Sequence, residues 1–171
     1  MLEVIIAILT ITAFLTGTLQ LMAVNALYKV RAERQAQANF WIQEDFEYVK
    51  ALASSLDVKS SPGYVSTDVC TNINQGYATA LRRQLTKTPL PTTLPTSTDQ
   101  EVETRTIVGK KYTLYRTFNI TGQSANPHRL SINYQVKLAT GQVANDYRNQ
   151  ENVIAKSSVE VIPDASFKCP S

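Results

Sequence analysis

The sequence predicts an α+β chain: a long N-terminal helix, membrane-spanning in its first half and amphipathic in its second, packed on a C-terminal antiparallel sheet of about four strands. Three observations predict it. Residues 4–28 carry no charged side chain. Residues 28–56 hold no Gly or Pro and repeat apolar side chains near helical spacing. Beyond residue 100, apolar and polar residues alternate with the period of two that marks half-buried strands. Averages over the 171 residues, 43% hydrophobic and 18% charged, describe neither half. The asymmetry excludes a uniformly soluble globule, and the alternating segments exclude a disordered polar tail. The formal net charge of +3 splits as −1 from Glu3, zero over residues 29–59 and +4 from residue 60 onward. So small an excess is no nucleic-acid signature.

The first element is residues 1–28, MLEVIIAILTITAFLTGTLQLMAVNALY. At ~1.5 Å per residue, roughly 25 helical residues exceed the ~30 Å of a hydrocarbon layer. Thr10, Thr12, Thr16 and Thr18 can return their hydroxyls to carbonyls one turn earlier. Gly17 is tolerable in such a helix, and no proline interrupts it. A buried helix of a soluble protein would rarely run this far without a charge. A cleaved secretory signal would use Val24-Asn25-Ala26, but Glu3 stands where a basic residue belongs and the apolar run exceeds a usual signal core. Lys29, Arg31 and Arg34 follow the run, and the positive-inside rule alone would place the tail in the cytoplasm. Glu3 needs a partner or a headgroup-level position, because a carboxylate in hydrocarbon costs at least ~2.5 kcal/mol.

Met1-Leu2-Glu3-Val4-Ile5-Ile6-Ala7-Ile8 resembles the N-terminus shared by type IV pilins and type II secretion pseudopilins, where one Glu opens a long apolar helix. The resemblance covers about the first 55 residues. It implies that Glu3 acts in filament assembly, neutralising the N-terminal amine of a neighbouring subunit. It also implies partners: copies of the chain and other pilin-like subunits through the N-terminal helix, the inner membrane, the assembly platform, and a prepilin peptidase if an upstream leader exists. The family pattern starts with a leader ending in Gly, and this chain begins two residues inside the family's mature sequence, so such a leader is expected upstream. In the family a basic leader outweighs charges like those of Lys29, Arg31 and Arg34, which places the head outside the cytoplasm. Where many major pilins have a helix-kinking proline, this chain has Gln20, which favours a minor pilin or pseudopilin.

The second element, residues 29–56, continues the helix. Ala, Gln, Glu, Lys and Arg are good helix formers. Ala32, Ala38, Ile42, Phe46, Val49, Ala53 and Leu56 form an apolar stripe, and Arg31, Arg34, Glu44, Glu47 and Lys50 lie mostly off it. Phe40, Trp41 and Tyr48 read as core or membrane-surface residues, and the run Glu44-Asp45-Phe46-Glu47 reads as a solvated face with an apolar insertion. Residues 2–56 would reach ~80 Å as one helix.

Residues 57–171 form the head and suffice for one modest core. Ser60-Ser61-Pro62-Gly63 punctuates the exit from the helix. Residues 78–87 suggest a short helix, and residues 88–98 a Pro/Thr surface loop too proline-rich for central sheet. Strands are expected over 101–108 and 111–120, a hairpin around Gly109-Lys110, and over 130–138 and 153–162. Tyr112, Leu114, Phe118 and Ile120 share one face, with Arg116 breaking the stripe at an edge. Leu130, Ile132, Tyr134, Val136 and Leu138 alternate with polar residues. The amphipathic half of the long helix is the one large cover for such a sheet.

Cys70 and Cys169 are the only cysteines. An even count and a head outside the cytoplasm favour a disulfide, the alternative being two free buried thiols. No ligand spacing suggests a metal site, and no nucleophile motif, phosphate-binding glycine loop or carboxylate pair suggests catalysis. No cofactor or specific small molecule is expected. His128 reads as a loop residue, Asn119-Ile120-Thr121 as a chance glycosylation triplet, and Arg82-Arg83 and Lys110-Lys111 as solvated surface. The reading is a structural filament subunit held in the inner membrane before assembly. The alternative is a single-pass anchor displaying an unpolymerised module that binds DNA, polysaccharide or a receptor.

Overall fold

A single unbroken helix, α1 (Leu2–Ser55), occupies the first third of the chain. The computed structural model describes residues 2–59, 63–146 and 150–170. The expected exit signal at Ser60, Ser61 and Pro62 lies outside the described residues. After α1 come α2 (Tyr77–Leu85), β1 (Asp99–Ile107), β2 (Lys110–Asn119), β3 (Leu130–Leu138), β4 (Val153–Val161) and a closing 3-10 turn (Asp164–Lys168). The four strands form one antiparallel meander in the order β1-β2-β3-β4. This is the α+β architecture the patterns predict.

One face of the sheet is apolar: Tyr112, Leu114 and Phe118 of β2 and Leu130, Ile132, Tyr134 and Val136 of β3 are all buried. The second half of α1 covers it with Ala38, Trp41, Ile42, Val49 and Ala53. Each large side chain so removed from water favours folding by roughly 1.5–3 kcal/mol. Ala38 is fully buried, and its short side chain lets the helix backbone lie close to the sheet. Of the expected stripe, Ala32 is exposed, Phe46 is half-buried and the rest is buried. Trp41 joins the core, whereas Phe40 and Tyr48 face outward, 70% and 55% exposed.

The hairpin between β1 and β2 turns one residue earlier than expected. Ile107 pairs with Lys110, leaving Val108 and Gly109 as the two-residue loop, both at positive φ (42° and 78°). A loop of this length matches the strand twist only with left-handed residues, which Gly supplies freely and Val adopts under strain. Helix α2 packs between α1 and β3. Its preceding Gly76 is required by space: a Cβ there would fall 2.1 Å from the Pro127 carbonyl oxygen. That carbonyl also accepts the Ala78 N–H at 3.0 Å, seating the start of α2 on the loop before β3.

Candidate assembly surface

The stem surface is built from the first half of α1. Its large apolar side chains are all at least 45% exposed, from Leu2 at 73% to Leu27 at 45%. The hydroxyls of Thr10, Thr12, Thr16 and Thr18 donate back into the helix, for example Thr12 Oγ1 to the Ile8 carbonyl at 2.6 Å and Thr16 Oγ1 to that of Thr12 at 2.7 Å. These polar groups are thus satisfied inside the helix and do not call for water. The helix is long and apolar enough to cross a membrane. Glu3 lies exposed in its first turn, the one acid of the stem, where the positive end of the helix dipole favours a carboxylate.

A charged neck joins stem to head. Arg34, expected off the packed face, is buried, because its guanidinium reaches the head. Nη2 donates to the Val108 carbonyl at 3.1 Å, and Nη1 lies 2.6 Å from Asp146 Oδ2. Lys110 reaches the other Asp146 oxygen at 2.9 Å, and Arg31 pairs with Glu151 at 3.1 Å. The hydrogen bond from Lys110 above all holds the Asp146 carboxyl below the ordinary carboxylate range; burial opposes it, and the Arg34 hydrogen bond and the two positive charges add to the lowering. Lys110 is therefore bound into the neck rather than free on the surface, while Lys111 is exposed.

Further along, a buried ion pair locks the helix to the sheet. Asp45, expected on a solvated face, is 9% exposed, and Arg116, expected at an edge, is 3% exposed on the central strand β2. Arg116 Nε donates to Asp45 Oδ2 at 2.7 Å and Nη2 donates to Oδ1, a two-pronged geometry, with Nη1 reaching Gln100 Oε1 at 3.3 Å. Burial, and then the Asp45 carboxylate, push the neighbouring Tyr134 phenol well above the usual tyrosine range. The signal was present in the sequence. Asp45 stands three residues after Ile42 and four before Val49, on the packed stripe, and Arg116 shares its parity with Tyr112, Leu114 and Phe118. Two opposite charges on two facing apolar stripes imply a pair. Outside the core, Arg105 joins Glu44 through two hydrogen bonds (2.7 and 3.2 Å) and lies over the Trp41 ring.

Cys70 and Cys169, 99 positions apart in sequence, are joined in a disulfide with Cα atoms 5.3 Å apart. It ties the segment before α2 to the end of the described chain. In the chain-entropy model a loop of this size is worth ~4–5 kcal/mol.

Arg82 and Arg83 depart furthest from expectation. Both are 6% exposed, because α2 turns them beneath the Pro/Thr loop. Arg82 Nη2 donates to the carbonyls of Pro95 and Ser97 at 2.7 and 3.1 Å, and Arg83 Nη1 to that of Thr92 at 2.5 Å. The loop is thereby clamped to the head. His128 sits beside α2, its Nδ1 accepting the Tyr77 N–H at 3.3 Å. Asn119 ends β2 in an exposed position. No protein-family model matches this chain, nor does any curated protein or solved structure.

Proposed function

We propose that the chain is a structural subunit of the minor pilin or pseudopilin kind, polymerised through the first half of α1. The observation that carries this reading is the division within one helix: its second half is the core of the head, while its first half is apolar and bare. An apolar stem of this length needs a non-aqueous surrounding. Lipid provides one before assembly, and the packed stems of other subunits provide one afterwards. A single helix continuous from stem into head suits both, since the head is built on its second half alone. Glu3 supports the reading as the one acidic side chain in the stem. In hydrocarbon it is costly, and a neighbouring subunit's amine would neutralise it. On this reading the subunit waits in the inner membrane with the head outside the cytoplasm, where the Cys70–Cys169 bond can persist.

Immunogold labelling of shed filaments from cells producing the full chain tests the reading. Label along or at the tip of filaments is expected, and Glu3→Val should leave the protein in the membrane while sharply reducing that label. Label confined to the cell envelope would instead favour the anchored binding module.

A further inference from the structure

Between the start of α2, the Pro/Thr loop and the turn after β2 lies a cleft of about 640 Å³, within the size range of small-ligand sites. Arg82 and Arg83 both line it. Their loop carbonyl partners satisfy hydrogen bonds but not charge. Phe118 offers the Arg82 guanidinium a ring face at 5.7 Å, a partial compensation. The Nε of each arginine is buried with no hydrogen-bond partner. Among the described residues that line the cleft there is no Asp or Glu, and none forms an ion pair with either arginine. Two adjacent cations, each more than nine-tenths buried and without a counter-charge, are costly unless an anion joins them.

The rest of the lining selects among anions. Asn74, Gln75 and Ser124 offer amides and a hydroxyl, the groups that meet sugar hydroxyls, while Gln123 is held by donating its amide to the buried Thr79 hydroxyl at 2.8 Å. Ile73 and Ile120, 55% and 44% exposed, give the rim apolar contact for the C–H face of a sugar ring. No aromatic residue and no lysine lines the cleft among the described residues. It therefore lacks both the stacking platform and the flexible charges with which a single-stranded nucleic acid is held. A guanidinium is a planar fork matched to an oxyanion. We propose that this cleft binds an acidic saccharide, with its carboxylate on Arg82 and Arg83 and its hydroxyls on the surrounding amides. The site is independent of whether the stem polymerises.

The test is calorimetric titration of the full chain in detergent micelles with four probes: a hyaluronan tetrasaccharide, neutral N-acetylchitotetraose, inorganic phosphate and a single-stranded oligonucleotide. The hyaluronan fragment should bind at least about tenfold more tightly than each of the others. Ser124→Asp, in an exposed turn, adds a carboxylate to the cleft lining and should weaken binding by about tenfold or more without lowering the thermal melt. Arg83→Lys keeps the charge but loses the fork and should weaken it as well. Absence of hyaluronan binding at millimolar concentration overturns the proposal. So do equal binding of the neutral sugar, phosphate binding as tight as the tetrasaccharide, preference for the oligonucleotide, or indifference to Ser124→Asp.

Discussion

Between Leu2 and Leu27 the large apolar side chains of α1 are 45% to 73% exposed, whereas between Arg34 and Ala53 its inward residues are at most 9% exposed. The bare half is the more apolar one, and the buried half includes Arg34 and Asp45. Apolarity therefore does not decide which part of this helix becomes core. The decision lies with the partner: the sheet supplies a complementary face, including Arg116 for Asp45 and the Val108 carbonyl for Arg34, only to the second half. Along this helix, charges enter the core where a counter-charge waits, and greasy residues stay outside it where no face is offered within the chain.

This contrast can be broken most severely at Asp45. Asp45→Ala strands the buried Arg116 guanidinium and should cost the head ~3–5 kcal/mol in denaturant unfolding of the detergent-solubilised chain. Replacing both partners together, Asp45→Leu with Arg116→Met, should recover most of the loss. A paired substitution then sharpens the comparison. Ala38→Leu overpacks the seam between helix and sheet and should destabilise the head by ~1–3 kcal/mol. Ala7→Leu, the same change in the exposed stem, should leave head stability within about 0.5 kcal/mol of the parent.

The smallest effect concerns acid. Asp146 titrates below its ordinary value in the folded neck, so its pairing stabilises the fold above the unfolded carboxyl pKa of 3.8 and is lost as pH falls through the lower folded value. Asp146→Asn should accordingly make stability less dependent on pH below 3.8, as followed by thermal melts across that range.

The sequence carried the fold well because its signals are periodic. The unbroken helix was readable from missing breakers, and β3 from five alternating apolar residues, and both lie where expected. The sequence suggests a short helix over 78–87, and α2 runs Tyr77–Leu85. The hairpin slipped by one residue because Gly109 serves as the second loop residue rather than the first, a choice fixed by strand register. Charged residues were read least well. The rule that ionised groups face water puts Arg34, Asp45, Arg82 and Arg83 on the surface, and the break in the β2 stripe puts Arg116 at an edge. Each is buried because its partner comes from a distant segment, 71 residues away for Asp45 and Arg116. Only the parity of Arg116 and the stripe position of Asp45 hinted at that pair. Nothing local foretold the loop carbonyls that take Arg82 and Arg83.

The central claim is that the first half of α1 finds its non-aqueous surroundings in lipid and then in other stems. Single cysteines at Ile11 and Leu19, oxidatively cross-linked in filament-producing cells, test it most directly. The account predicts a ladder of stem-linked multimers that disappears with Glu3→Val, and no such ladder from a cysteine at the exposed head position Lys156. A chain that remains monomeric at both stem positions while filaments form, or that is recovered freely in water with its stem intact, would contradict it.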